Sequence, residues 1–173
     1  YVNFNPSYSF DATKGFGLNV QGRKIESFQF RSSPYNLLLN GIITYLPALT
    51  RQNTYRLLAR YNPFAQEVGE EGIQADFVWT PNKHLSFTGN YSYVQSDAVV
   101  PGKTTKLFTE YYIDGVYKVN KDFKVALGFQ SVYYNQQIYE LNTQAPNVTT
   151  YTPFGEFNYK ISRKRSLRLE WQY

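Results

Sequence analysis

The stretch YYIDGVYKVNKDFKVALGFQ, residues 111–130, decides the fold. On one side of its centre Tyr111, Ile113 and Tyr117 oppose Glu110, Asp114 and Lys118. On the other side Phe123, Val125, Leu127 and Phe129 oppose Lys124 and Gln130. An alternation of period two is the mark of a strand, because successive side chains of extended backbone point to opposite faces. The polar quartet Val119–Asp122 between the halves reads as a tight turn. The stretch therefore predicts a hairpin with one greasy face and one wet face.

The same pattern runs outward in both directions. Upstream, Val2, Phe4, Tyr8 and Phe10 alternate with Asn3, Asn5, Ser7 and Ser9, and Phe16, Leu18 and Val20 with Asn19, Gln21 and Arg23. Ile73, Ala75, Phe77 and Trp79 then alternate with Gln74 and Asp76, and Leu85, Phe87, Tyr91 and Tyr93 with Ser86, Thr88, Asn90 and Ser92. Downstream, Phe157, Tyr159 and Ile161 face away from Glu156, Asn158 and Lys160, and Leu167, Leu169, Trp171 and Tyr173 from Arg168, Glu170 and Gln172. This makes about eight strands of roughly ten residues, the length a tilted strand needs to cross a bilayer. Tight turns at Asp11–Lys14, Thr80–Lys83, Val119–Asp122 and Ser162–Arg165 alternate with longer links at about 32–69, 96–106 and 135–148. Outer-membrane barrels alternate in this way, with tight periplasmic turns and long extracellular loops. The expected fold is all-β: a transmembrane antiparallel up-and-down β-barrel forming one domain over residues 1–173. Its long extracellular loop falls at about 32–69.

Composition agrees. The 173 residues hold 17 Tyr, 13 Phe and 2 Trp, yet the mean hydropathy is -0.49, so abundant rings are diluted among polar residues. A soluble core is built chiefly from aliphatic residues, and a soluble sandwich does not require two bands of rings. Two bands are what the sequence offers. Phe10, Phe16, Trp79, Phe87, Tyr117, Phe123 and Tyr159 sit near the tight turns. Phe28, Tyr91, Tyr93, Tyr111, Phe129, Tyr133, Tyr151 and Trp171 sit toward the opposite ends. Amphipathic rings settle at membrane–water interfaces, so these are the expected aromatic girdles. The turns recur near every 40 residues, but each interval holds two long strands and lacks propeller signatures, which rejects a propeller. No apolar run reaches the length of a membrane helix, since Leu37–Leu49 is interrupted by Asn40, Gly41 and Pro47. Pro6 and Pro153 cannot donate a ladder hydrogen bond, so each implies a bulge, an edge or a strand end.

Absence of cysteine removes disulfides and thiolate chemistry and fits an oxidising compartment. Methionine is absent too, so Tyr1 implies either a removed signal peptide or a start within a longer protein. The net charge of +5 comes from scattered rather than clustered basic residues, which argues against a nucleic-acid partner.

Leu46-Pro47-Ala48-Leu49-Thr50-Arg51-Gln52-Asn53-Thr54-Tyr55, then Asn62-Pro63 and Gly69-Glu70-Glu71-Gly72-Ile73-Gln74-Ala75-Asp76, resembles an uncharacterised outer-membrane β-barrel family of the Bacteroidota. The likeness continues into Lys160-Ile161-Ser162-Arg163-Lys164-Arg165-Ser166-Leu167-Arg168 and covers about a third of the chain directly. It implies fold and location and brings no functional residues. Members extend beyond the equivalent of Tyr173, so the chain is expected to be part of a larger barrel. The competing view takes the alternating residues ending on Tyr173 as a terminal insertion signal.

The expected lumen-facing set is Arg23, Asp76, Glu110, Asp114, Lys124, Glu156, Lys160, Arg168 and Glu170. In a narrow barrel such groups pair and fill the interior; in a wide one they line a water-filled pore. The mixed signs favour a structural network and argue against strong ion preference. His84 beside a turn reads as a solvated residue rather than a general base, and Glu70 and Glu71 as a solvated acidic turn rather than a calcium site. No catalytic residues, metal or cofactor are expected. The long link is too apolar to be floppy: Leu38, Ile42, Ile43, Tyr45 and Tyr55 are expected to fold over the mouth, into the lumen or against a partner. The expected partners are the lipid bilayer, lipopolysaccharide and other outer-membrane proteins. The functional readings are a structural or partner-binding subunit, a passive pore for small solutes, and, distantly, an outer-membrane enzyme.

Overall fold

A computed structural model describes residues 2–4, 7–10, 15–26, 32–33, 35, 47–65, 69–100 and 103–173. Strands occupy β1 (Val2–Phe4), β2 (Ser7–Phe10), β3 (Phe16–Glu26), β4 (Gly69–Asn82), β5 (Leu85–Val100), β6 (Lys103–Lys118), β7 (Phe123–Tyr134), β8 (Val148–Ser162) and β9 (Arg165–Gln172), with one short helix, α1 (Gln136–Tyr139). They form one antiparallel sheet in chain order, β1 and β2 lying in succession along the same edge of β3. The chain is thus an all-β up-and-down sheet. Among the described residues β1 and β2 at one edge and β9 at the other have a partner on one side only, and the sheet is not closed.

Short polar side chains set the tight turns. Asn82 Oδ1 accepts from the backbone N–H of His84 and Leu85 at 2.9 and 3.0 Å. Asn120 Oδ1 accepts in the same way from Asp122 and Phe123, both at 2.9 Å. Ser162 Oγ accepts from Lys164 N at 3.3 Å. Each side chain imitates a backbone turn, which reverses the chain in a few residues. The expected turn at Asp11–Lys14 lies outside the described residues, as do Pro6 and Phe28.

Two expectations change, and one link is found where it was expected. The link expected at 96–106 is mostly strand: β5 runs on to Val100 and β6 starts at Lys103, joined through Val100↔Lys103 pairing. The link at 135–148 carries α1, capped by Asn135, whose side chain accepts from Ile138 N. Pro153 sits inside β8, opposite Phe129, with no shift of register. Its carbonyl accepts from Tyr173 N at 3.1 Å, so the side of the backbone that lacks an N–H faces the last residue of the chain and not the β7 ladder.

Alternation sorts the side chains into two unlike faces. One carries Leu18, Phe77, Gly89, Ile113, Phe129 and Pro153 in a single cross-strand row, with Trp79–Phe87, Tyr91–Tyr111 and Phe123–Tyr159 ring contacts at 5.6, 5.0 and 6.2 Å. This apolar face is bare: Ile113, Leu127 and Leu169 are 50%, 54% and 58% exposed. The other face carries Asn19, Asp76, Asn90, Tyr112, Gln130 and Thr152 in the adjoining row, and Asn90, Tyr112, Gln130 and Thr152 of these are buried while Asn19 on β3 is exposed.

Candidate functional site on the polar face

Residues 47–65 cover the polar face as a strap. Arg23 on β3 donates to the Pro47 carbonyl, and Leu57 N donates to Gln172 Oε1 on β9 at 2.8 Å. Between these ends the strap meets Glu110 on β6, Gln130 on β7, and Phe154 and Glu156 on β8. From β3 to β9 is about six inter-strand steps, or roughly 29 Å along the sheet at ~4.8 Å each. A strap that includes a helical turn, with Ala59 N donating to Tyr55 O, spans that width as a chord if the sheet curves around it. The polar face is the strapped one.

Glu110, 1% exposed, is the hub. Its two oxygens accept from Thr50 Oγ1 at 2.8 Å, Arg51 N at 3.2 Å, Asn53 Nδ2 at 3.2 Å and Gln130 Nε2 at 2.7 Å. Three of those donors come from the strap, and Gln130 Nε2 also donates to Leu58 O at 3.2 Å. A buried carboxylate is tolerated where its lone pairs are filled this way. Beside the hub lies a small apolar seat of Tyr112, Phe154 and Leu58, with the Tyr55 ring 4.7 Å from Phe154 and the Arg51 guanidinium 4.2 Å above the Tyr112 ring. Gly128 makes room for this seat, since a Cβ there would meet the Phe154 ring at 2.3 Å.

Tyr55 fastens the far half. Its hydroxyl donates to Glu156 Oε2 at 3.0 Å, and Glu156 also pairs with Arg168 at 2.7 Å. Burial, reinforced by the bond to the Glu156 carboxylate, pushes the Tyr55 phenol up to about 12. At the long-loop end, Leu49, Val94, Leu107, Phe108, Val132, Tyr134 and Tyr139 form a second apolar cluster, and burial holds the Tyr139 phenol well above its ordinary value. The buried Arg23–Glu70 ion pair stands nearby.

The structure places all nine residues of the expected lumen-facing set on this face. Asp76 accepts from Asn90 and Gln74 at 2.8 and 3.2 Å, Asp114 from the Tyr112 hydroxyl at 2.6 Å, and Glu170 pairs with Arg168 at 3.2 Å. The signs, however, segregate. Arg23 and Arg168 pair with carboxylates, whereas Lys124 and Lys160 lie toward the tight turns and make no ion pair among the described residues. Glu70 is not a solvated turn residue: it is a buried position of β4 paired with Arg23, because the strand starts at Gly69. His84 is exposed in its turn, with Nδ1 3.0 Å from Lys118 O.

Of the expected interface aromatics, Phe16, Trp79, Phe87, Tyr91, Tyr93, Tyr111, Tyr117, Phe123, Phe129, Tyr159 and Trp171 share the apolar face, and Phe10 pairs with Phe16 in β2. Leu38, Ile42, Ile43 and Tyr45 lie outside the described residues. Tyr55, expected to touch a partner, turns its ring and hydroxyl to the protein's own sheet. Sequence reasoning missed Tyr112, Gln130 and the strap's Thr50 and Asn53 as site residues. The even-numbered rows of β6 and β7 signal the first two, and nothing local signals the others.

Fold and site define an antiparallel up-and-down sheet whose strapped face is polar and whose bare face is apolar. The chain belongs to the DUF6029 family, a family of unknown function, whose model matches residues 2–173. No curated protein and no solved structure matches it.

Proposed function

We propose that the chain forms wall of an outer-membrane β-barrel and serves as a structural or partner-binding subunit of an outer-membrane assembly. Its apolar face meets lipid and lipopolysaccharide acyl chains, and its polar face turns to the barrel interior. The observation that carries this reading is the inverted polarity. A sheet folded for water buries its apolar face and exposes its polar one; here Ser92, Glu110 and Gln130 are buried while Ile113, Leu127 and Leu169 stand bare. A tilted strand of about ten residues spans the apolar layer of a bilayer. β5 and β6, with 16 residues each, are long enough to cross and project beyond it at the long-loop end, where the strap and α1 pack.

A structural role is favoured over an open pore by the strap, which covers the polar face with bonded side chains from β3 to β9. Catalysis has no part in this reading. Purification tests it: the protein should require detergent and run faster on a gel unheated than boiled. A monodisperse preparation in aqueous buffer without detergent overturns it. A steady ion conductance in planar bilayers would move the assignment from subunit to pore.

A further inference from the structure

The charges of the polar face are sorted along the strands. Its carboxylates Glu70, Asp76, Glu110, Asp114 and Glu156 occupy the middle and the strap end, each held by a donor described above. At the tight-turn end the sign changes. Lys118 of β6 stands directly opposite Lys124 of β7, and Lys124 directly opposite Asn158 of β8, with Lys160 two residues further along that strand on the same face. Like charges facing one another across a strand pair are destabilising. Lys121 in the β6–β7 turn adds a fourth ammonium.

These four lysines, with Asn120, Asp122, Phe123 and Asn158, line one hollow of about 370 Å³. The β8 backbone closes it, Lys160 N donating to Asp122 O at 2.7 Å. None of the four lysines makes an ion pair among the described residues. The lining thus carries four positive charges against the single carboxylate of Asp122. The other carboxylates described on this face are engaged elsewhere, so among the described residues Asp122 is the single counter-charge where four lysines meet.

We propose that this hollow binds a phosphate-bearing anion at the tight-turn end of the barrel wall. Lysine serves phosphate as a point charge, and separate ammonium groups on three elements suit an anion that presents several oxygens in different directions. The Asn120 amide supplies a neutral donor in the lining. The anion relieves the Lys118–Lys124 repulsion and couples β6, β7 and β8 at their turns. Its source is either a free phosphate or the phosphodiester of a lipid headgroup.

The test uses the whole protein in zwitterionic detergent. Inorganic phosphate is titrated while its phosphorus resonance is followed. In a parallel arm, binding is measured to vesicles of phosphatidylglycerol and, as control, of phosphatidylcholine. Binding of inorganic phosphate assigns a free anion; binding to phosphatidylglycerol vesicles alone assigns a headgroup. Each of Lys118→Gln, Lys124→Gln and Lys160→Gln should weaken the interaction about tenfold, with salt weakening it further. Lys83→Gln, in the neighbouring turn and outside the hollow, should leave it unchanged. A second reading guards against mere misfolding: without phosphate, Lys124→Gln should raise the unfolding temperature by removing repulsion, and added phosphate should erase that advantage. No binding in either arm, or equal binding by the triple variant, overturns the proposal.

Discussion

Ile113 offers a direct measurement of what the apolar face touches. It lies in the middle of that face, in register with Gly89 and Phe129, and is 50% exposed. Lys118, the last residue of β6, is five residues further on. On the proposed membrane reading, at ~3.4 Å per residue and a tilt of ~40°, Ile113 stands about 13 Å from the turn end, halfway through an apolar band ~25 Å tall. Ile113→Arg therefore places a guanidinium near the bilayer midplane, at a cost of about 2–4 kcal/mol. Tyr117→Arg, one residue from the strand end, should cost about 0–1 kcal/mol, because the charge reaches the headgroups. In water the two positions are equivalent, since Tyr117 is 52% exposed, and surface changes of this kind stay within about 0.5 kcal/mol. The assay is urea unfolding of the protein folded into phospholipid vesicles, followed by the fluorescence of Trp79 and Trp171. The expected result is a clear ordering, with Ile113→Arg much the less stable. Equal stabilities for the two variants, or two values near zero, would refute the claim that this face contacts lipid.

Three further predictions concern the strap and its supports. Gly128→Ala puts a Cβ 2.3 Å from the Phe154 ring and 2.7 Å from the Ile113 carbonyl of the paired strand, so about 1–3 kcal/mol of stability should be lost, visible as a lower denaturation midpoint. Arg23→Met leaves Glu70 buried without its guanidinium and should cost about 3–5 kcal/mol in thermal unfolding, while Arg23→Met with Glu70→Leu should return close to the parent; equal loss in single and double variants would dismiss the ion pair as the cause. The folded state favours the neutral Tyr55 phenol, so its contribution is complete below about pH 10 and fades as pH rises toward about 12. Protection of the strap from proteolysis should fall over that window, and Tyr55→Phe should remove the pH dependence.

Period-two alternation made the sheet legible, because both faces obey it: Tyr111, Ile113 and Tyr117 against Glu110, Asp114 and Lys118 give the same answer as Phe123–Gln130. Turns were legible where Asn82, Asn120 and Ser162 imitate the backbone. Strand ends were less so. Across 96–106 the sequence loses its alternation, with Ala98, Val99, Val100 and Pro101 in succession, while β5 and β6 go on pairing to Val100↔Lys103 through shifts of register. The site divided likewise. The charged residues could be assigned to a face, but their partners could not, since Glu110 meets Asn53 across 57 residues and Tyr55 meets Glu156 across 101. Segregation of Lys118, Lys124 and Lys160 from the carboxylates depends on cross-strand register, which a count of signs conceals.

The register itself acquires an unusual security from the two unlike faces. In a sheet with one indifferent surface, slipping a strand by one residue offends only the buried side. If β6 slid by a single position against β5, Glu110 and Asp114 would emerge between Tyr91 and Phe87, while Tyr111 and Ile113 would point at Thr50 and Asn53 without offering a carboxylate. A misaligned β6 therefore fails on both surfaces at once, so correct alignment is enforced along the whole strand and not only beneath the strap.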